Sequence, residues 1–204
     1  MKNTGIGVFF TLLLLLTGCS KENTILKSSL NVTNYEAQIS LAFQPGVDAN
    51  PMCMIDFDRA QTYNILQSQD SFGSIDMIWA ARTVDTVTYI ISPKVYEGSA
   101  GLGTDFSKLD FKADKWTKFN ASAFSLAAPF RDEELYPTIT NKQDLSNFIS
   151  DKDINGYNRS LVSVAAVGKV FSFKTDKGRE GIFQIMELNY GPKGYMKLDV
   201  KINP

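Results

Sequence analysis

The residue types that carry most protein chemistry are sparse in this chain. It contains no histidine and only two cysteines among its 204 residues. A Ser-His-Asp triad, a Cys-His pair and a zinc site with histidine ligands are therefore excluded within it. The clearest acidic cluster is Asp132, Glu133 and Glu134. Glycoside hydrolysis needs two carboxyl groups on either side of a sugar, whereas adjacent acidic residues in a loop are typical of a solvated surface. We predict a protein that is not an enzyme.

One acidic pattern has the spacing of a metal site. Asp151, Asp153 and Asn155 occupy alternate positions before Gly156. Oxygen ligands at this spacing open a calcium-binding loop, in which the glycine permits the sharp turn. The twelfth position is Val162, where such a loop carries a bidentate glutamate. The pattern predicts at most weak calcium binding and no other cofactor, and an Asn-Gly turn with flanking charges is the alternative.

Cys19 follows a segment that has the form of an export signal. Lys2 supplies a positive start, and residues 5–16 are apolar. The apolar run is shorter than the roughly 20 residues that a membrane-spanning helix needs. Residues 16–19 read LTGC, which resembles a bacterial lipobox. That resemblance implies diacylglycerol on the Cys19 thiol, cleavage before Cys19, and acylation of the new amine, for instance with palmitate. An ordinary cleaved signal with a chance cysteine is the alternative.

The predicted lipid anchor divides the chain into three parts. Residues 1–18 are a signal peptide, residues 19–30 a lipidated flexible tether, and residues 31–204 a single β-rich domain large enough to bury one core. The net charge is −1 and no basic stripe is present, so nucleic acid is not an expected partner. With Cys19 acylated, Cys53 is the only free thiol, and we expect it to be a small core residue.

Strand patterns dominate residues 31–204. From Tyr35 to Phe43, apolar and polar residues alternate, as in a half-buried strand. The same alternation runs from Met196 to Ile202, and residues 176–178 (DKG) predict a tight hairpin turn before it. Further strands are predicted at residues 52–57, 74–81, 86–91, 161–175, with a bend at Gly168, and 181–188.

One helix is well marked in the sequence. Thr140 and Gln143 match a capping box, and Leu145, Phe148 and Ile149 follow at helical spacing. The last three strands form an antiparallel meander. With the earlier strands they predict a mainly β fold, an antiparallel β-sandwich with one short peripheral helix. A β-barrel is the alternative.

Residues 94–130 show no sustained period. Long irregular segments are uncommon inside compact domains and are often functional. We therefore expect a ligand-binding surface here, with Trp116, Tyr96 and Phe106 as its contact residues. Aromatic faces offer a large contact area, and core packing is the alternative for each of the three.

Five short segments carry a family resemblance. They are SIDMIW at residues 74–79, QDL at 143–145, VGKVFSFKT at 167–175, GIFQI at 181–185 and CSKEN at 19–23. The first four resemble small β-rich lipoproteins of Bacteroidota, of which HmuY-like haem-capturing proteins are the best-known relatives. The fifth resembles the signal that directs such lipoproteins to the cell surface. The resemblance implies an outer-membrane lipoprotein that is surface-exposed.

The sequence therefore predicts a cell-envelope lipoprotein that acts as a non-catalytic ligand-binding module for a glycan or other nutrient. An adhesion or structural component that binds a protein partner is the alternative. A haem-capturing protein is third, and its iron would need methionine ligands because histidine is absent. Core packing is the competing interpretation for each methionine of the mature chain. These are Met52, Met54, Met77, Met186 and Met196. The expected partners are the membrane, through the lipid, and an unknown small-molecule, glycan or protein ligand.

Overall fold

The computed structural model describes residues 31–40, 52–81, 88–96, 117–126, 132–150, 161–163, 166–190 and 194–204. Within these ranges the chain is mainly β, with ten strands and a few short helices. The strands are β1 Thr33–Ser40, β2 Met54–Asp56, β3 Gln61–Tyr63, β4 Met77–Ala81, β5 Thr88–Ile91, β6 Ala123–Leu126, β7 Leu161–Ser163, β8 Val170–Lys174, β9 Glu180–Asn189 and β10 Tyr195–Ile202. The α-helices are α1 Ile65–Ser71, α2 Asp132–Leu135 and α3 Lys142–Ser150, and 3₁₀ helices cover Phe72–Ser74, Pro93–Tyr96 and Tyr136–Thr138.

Sheet I contains five antiparallel strands in the order β1, β10, β9, β8 and β6. Because β8, β9 and β10 are neighbours in sequence and in the sheet, the predicted meander is confirmed. The turn between β8 and β9 is the predicted one: Gly178 adopts a φ of 82°, and its amide donates to the Thr175 carbonyl at 2.9 Å. Glycine adopts positive φ without steric cost. On the other side of β10, β1 places Ile39 opposite Met196.

Sheet II contains the strands β3, β2, β4, β5 and β7 in that order, also antiparallel. The prediction of one bent strand over residues 161–175 is wrong, because β7 belongs to sheet II and β8 to sheet I. Gly168, with a φ of 86°, lies in the turn that leads into β8. A long apolar run thus supplies one strand to each sheet.

The two sheets pack face to face around an apolar inter-sheet core. Phe57 from the end of β2 stacks on Phe173 of sheet I with ring centroids 4.0 Å apart, and Trp79 of β4 is fully buried. A buried side chain of this size contributes about 1.5–3 kcal/mol relative to the exposed side chain. The core members are Ile39, Ile55, Phe57, Met77, Trp79, Ile90, Phe124, Phe171, Phe173, Phe183, Ile185, Met196, Leu198, Val200 and Ile202. This arrangement confirms the antiparallel β-sandwich, and within the described ranges neither sheet closes into the alternative barrel.

The outer face of each sheet is apolar as well and is covered by the chain itself. On sheet I, the predicted peripheral helix is present as α3, and it buries Leu145, Phe148 and Ile149 in a cluster with Val170 and Ile182. The outer cluster of sheet II contains Cys53, Met54, Tyr63, Ile75, Ile78, Ala80 and Ile91. No helix in the described part of the chain is long and apolar enough to cross a membrane.

The N-terminus of α3 differs from its prediction by one residue. Asn141, not Thr140, is the capping residue: its Oδ1 accepts from the Asp144 amide at 3.0 Å, and its Nδ2 donates to the Asp144 carboxylate at 2.6 Å. Asparagine caps a helix at least as well as threonine. Gln143, the predicted capping partner, donates to the Asn147 side chain instead.

A short helix is one interpretation of residues 62–69, and α1 begins within them, whereas the short helix α2 was not predicted. The expectation that residues 94–130 are irregular throughout is wrong, because β6 lies within them and places Phe124 in the inter-sheet core.

A buried lysine joins β10 to the 3₁₀ helix that precedes α3. Lys201 is only 6% exposed, and its Nζ donates to the carbonyl oxygens of Tyr136 at 2.7 Å and Ile139 at 2.9 Å. The Tyr136 hydroxyl donates to the backbone carbonyl of Asp199 at 2.6 Å. Burial lowers the pKa of Lys201, and the nearby Asp199 opposes that shift. These contacts hold the covering segment against sheet I.

Candidate functional site

Most residues that were predicted to bind a ligand lie outside the described ranges. They are Cys19, Phe106, Trp116, Asp151, Asp153 and Asn155. Tyr96 is the last residue of the 3₁₀ helix Pro93–Tyr96, and its side chain is outside the described part. Val162, at the twelfth position of the calcium-like pattern, lies in β7 opposite Ile90. The site predictions for these residues therefore stay predictions.

The residues that flank segment 97–116 are held together by Asn120. Its carbonyl oxygen accepts from the Ser92 hydroxyl and from the Lys94 amide, both at 3.0 Å. Ser92 and Asn120 are buried, at 0% and 1% exposure. The chain therefore leaves this point after Tyr96 and returns to it by Asn120. The residues on the two sides of segment 97–116, which contains Phe106 and Trp116, are thus joined by hydrogen bonds, and we describe its base as closed.

The side chain of Asn120 fixes this base to sheet II. Its Nδ2 donates to the carbonyl oxygens of Gly73 at 3.2 Å and Ile75 at 2.9 Å. A buried carbonyl that loses its donor costs about 1–3 kcal/mol, so both bonds matter to the position of the base. We call Ser92, Lys94, Asn120, Gly73 and Ile75 the loop base.

The turn between β8 and β9 makes a second connection to the same region. Asp176 Oδ1 accepts from the Ala121 amide at 3.4 Å, and its Oδ2 lies 3.5 Å from the Lys118 Nζ. Lys118 is more than half exposed, so this ion pair is worth less than about 1 kcal/mol. The segment after 97–116 is thus connected to both sheets.

Three aspartates lie at the end of β2 and beside β4. Asp56 and Asp76 are fully buried, and we call them, with Asp58, the acidic cluster. Asp76 binds the residues on both sides of Asp56. The Asp76 amide donates to the carbonyl of Ile55 at 2.9 Å, and Asp76 Oδ2 accepts from the amide of Phe57 at 2.9 Å. The two buried carboxyl groups are therefore close neighbours.

The remaining contacts of the cluster differ between Asp56 and Asp76. Asp56 Oδ1 accepts from the amides of Asp58 at 2.9 Å and Arg59 at 3.1 Å, and its Oδ2 lies 3.7 Å from the Arg59 guanidinium. Asp76 Oδ1 and Asp56 Oδ2 are buried without a hydrogen-bond partner in the described part of the chain. Burial above all, and then the charges of Asp56 and Asp58, raise the pKa of Asp76 to about 7, although the Phe57 amide opposes this.

Asp58 links the acidic cluster of sheet II to the hairpin of sheet I. Its Oδ2 accepts from the Lys177 Nζ at 2.8 Å, and its Oδ1 accepts from the Arg179 Nη1 at 3.3 Å. The hydrogen bond to Asp58 raises the pKa of Lys177. Arg179 also donates to the Asn203 carbonyl near the end of the described chain. The turn that carries Asp176 toward the loop base therefore also carries Lys177 toward the acidic cluster.

Tyr35 closes the cluster from β1. Its hydroxyl donates to the carbonyl oxygen of Phe57 at 3.1 Å. Burial, and then the charges of Asp76 and Asp56, raise the pKa of Tyr35 above its usual range. The phenol therefore remains a neutral hydrogen-bond donor across the normal pH range.

Two further residue types can be placed by their burial. Cys53 is fully buried, and burial raises the pKa of its thiol to about 12; this confirms its expected place in the core and makes it a poor nucleophile. Met54, Met77 and Met196 are also fully buried, whereas Met186 is half exposed, so core packing is wrong for Met186. Among the described residues, no three acidic or cysteine side chains converge to hold a metal ion.

The sequence did not single out Asn120, Asp56 or Asp76. A signal for the two aspartates is present, because each interrupts an apolar strand pattern at a position that the strand buries. Asn120 gives no such signal, since an asparagine between irregular residues is ordinary in a loop.

The fold defines the class of this protein as a two-sheet antiparallel β-sandwich. Comparison of the chain with protein-family models, with curated proteins and with solved structures gives no match. The resemblance to surface lipoproteins of Bacteroidota therefore rests on the sequence segments alone.

Proposed function

We propose that the chain is a lipid-anchored outer-membrane protein that binds a glycan or other nutrient at the cell surface, without catalysis. Segment 97–116 is the proposed binding element, and its proposed contact residues are Phe106 and Trp116 within it and Tyr96 directly before it. The observation that carries the proposal is the closed loop base. A long segment whose ends are joined by buried hydrogen bonds is typical of loops that serve function.

The burial of the outer sheet faces also supports a loop as the binding element. Both outer faces are occupied by apolar side chains of the chain itself, so the sheet faces of the described part are poor candidates for a ligand surface. Loops at the end of a rigid sandwich remain, and binding residues are often placed there. The loop base and the acidic cluster would give such a loop a fixed origin.

Lipid anchoring is tested by fractionating cells that express the chain. Cys19→Ser should move the protein out of the membrane fraction, since the thiol that accepts diacylglycerol is gone. Cys53→Ser is the matched control, because Cys53 is buried in the outer cluster of sheet II and should leave the location unchanged. Loss of Cys19 without any change of location would refute the anchor.

Ligand binding is tested with the full chain on a glycan array. Replacing Tyr96, Phe106 and Trp116 together by alanine should lower binding at least tenfold, since each stacked aromatic contributes about 1 kcal/mol. Tyr190→Ala is the control, because Tyr190 is an aromatic residue that is half exposed outside the loop. Equal binding by the triple variant would exclude these residues as the site.

The adhesion alternative has one observation in its favour. β1 pairs with β10 at every position from Thr33 to Ser40 and with no other strand in the described ranges. A long edge strand can accept a strand from a partner protein. If the array shows no bound sugar while the intact chain still binds to the surface of other cells, adhesion becomes the preferred function.

A further inference from the structure

Two buried carboxyl oxygens near the end of β2, Asp56 Oδ2 and Asp76 Oδ1, have no hydrogen-bond partner in the described part of the chain. Asp56 and Asp76 are neighbouring carboxyl groups, both without solvent exposure. Each has one oxygen bonded to backbone amides and one oxygen without a hydrogen-bond partner in the described part. Two adjacent buried carboxylates repel each other, and this repulsion favours protonation of one of them. A proton on one of the two carboxyl groups would remove this repulsion.

The contacts of the Asp56 and Asp76 carboxyl groups indicate which of the two carries the proton. Asp56 accepts two backbone amides and lies beside the Arg59 guanidinium, and these partners stabilise a carboxylate. Asp76 accepts only the Phe57 amide, through Oδ2. Its Oδ1 is therefore the oxygen that is best able to carry a proton.

We propose that Asp76 is a buried carboxylic acid beside Asp56 in the folded chain, and that loss of its proton weakens the end of the sandwich that holds the loop base. In the step itself, the Oδ1–H bond of Asp76 breaks, the proton passes to water, and Asp76 becomes a carboxylate. No other reactant is needed.

The charged and titratable groups around Asp76 come from every element packed against it. They are Asp56 and Asp58 at the end of β2, Arg59 in the following turn, Tyr35 of β1, and Lys177 and Arg179 of the β8–β9 hairpin. Lys177 and Arg179 already bind Asp58. The charge of Lys177 also acts on Asp76 and opposes the rise in its pKa, but by less than burial or the charge of Asp56 raises it.

The position of Asp76 connects the pair to the loop base. The carbonyl oxygen of Ile75, the residue before Asp76, accepts a hydrogen bond from the Asn120 side chain at 2.9 Å. Ionised Asp76 would draw water toward its buried Oδ1, because an unpaired charge is costly in an apolar site. Opening at this point would loosen the neighbouring bond from Asn120 to Ile75, whereas the Phe57 amide binds a carboxylate more strongly than an acid.

The pH range of this effect follows from the pKa values of Asp76 in the folded and the unfolded chain. Burial raises the pKa of Asp76 from 3.8 to about 7, so the unfolded chain releases the proton first as pH rises. The stability that protonated Asp76 contributes is complete below pH 4 and is lost as pH rises toward 7. The chain has no histidine, so histidine ionisation adds nothing to the pH dependence in this window.

The test is a carboxyl NMR titration of the full chain, combined with unfolding at pH 5 and pH 8. We expect the Asp76 carboxyl to titrate near pH 7 and the unfolding constant to rise on the order of 100-fold between these pH values. Asp76→Asn should remove this rise, because an amide does not ionise and can keep the bond from Phe57. Asp199→Asn is the control, since burial also raises the pKa of Asp199, and it should keep the rise.

Two outcomes would overturn the proposal. One is an Asp76 carboxyl that titrates near pH 4 in the unchanged chain. The other is an Asp76→Asn variant whose unfolding constant still rises 100-fold. If that variant does not fold, the NMR titration of the unchanged chain decides alone.

Discussion

The side-chain amide of Asn120 donates a hydrogen bond to the carbonyl oxygen of Ile75 at 2.9 Å, across 45 residues of sequence. Ile75 enters the outer cluster of sheet II, while the backbone of Asn120 binds Ser92 and Lys94. One asparagine therefore joins three separate parts of the chain. This contact fixes the origin of the proposed binding loop.

Asn120→Ala should destabilise the protein by about 1–3 kcal/mol. The carbonyl oxygens of Gly73 and Ile75 lose their buried donor, and unsatisfied buried groups are costly. Asn147→Ala is the control. The side chain of this exposed helix residue accepts a hydrogen bond from the Gln143 side chain, and loss of the Asn147 side chain should cost less than about 0.5 kcal/mol. Urea unfolding measures both variants, and equal stability would show that the loop base is not held by Asn120.

Gly181→Ala should be destabilising by about 1–3 kcal/mol because the new methyl group has no room. A Cβ at Gly181 would lie 2.3 Å from Phe173 Cζ and 2.7 Å from the backbone oxygen of Lys201. The backbone of β10 cannot move away without breaking its pairing. Gly73→Ala is the matched control, since its nearest neighbour would be 3.8 Å away. Thermal unfolding should separate the two variants, and similar melting temperatures would contradict the packing of β9 against β8 and β10.

Lys201→Met should destabilise the fold by about 1–3 kcal/mol, although methionine is more apolar. The carbonyl oxygens of Tyr136 and Ile139 would lose the ammonium group that binds them. Lys197→Met, on the same strand, removes an exposed ion pair with Glu187, and such pairs contribute less than about 1 kcal/mol. Denaturant unfolding of the two variants gives the comparison, and a harmless Lys201→Met would mean that the 3₁₀ helix is held by apolar contacts alone.

The fold was predictable where the hydrophobic period was clean. The alternation from Met196 to Ile202 and the glycine at residue 178 define β10 and the hairpin before it, because side-chain period and turn chemistry are local properties. The exchange of residues 161–175 between two sheets was not predictable, since both strands have similar apolar patterns. Similarly, the choice of Asn141 over Thr140 as helix cap depends on one residue of register that propensity does not resolve.

The candidate site was less predictable than the fold. The aromatic residues of segment 97–116 and the calcium-like pattern were visible as residue types, whereas the loop base depends on contacts between residues far apart in sequence. Asp56 is the last residue of β2 and Asp76 directly precedes β4, and the pairing of β2 with β4 brings them together. Sequence indicates that each is unusual in its strand, but it does not show that they are neighbours.

The most direct test of the proposed lipid-anchored function is the intact mass of the protein purified from the membranes of a bacterial host. We predict a chain that begins at Cys19, lacks residues 1–18, and carries the added mass of a diacylglycerol and an acyl group on that residue. A chain that retains Met1, or that begins at another residue with an unmodified Cys19, would contradict the account.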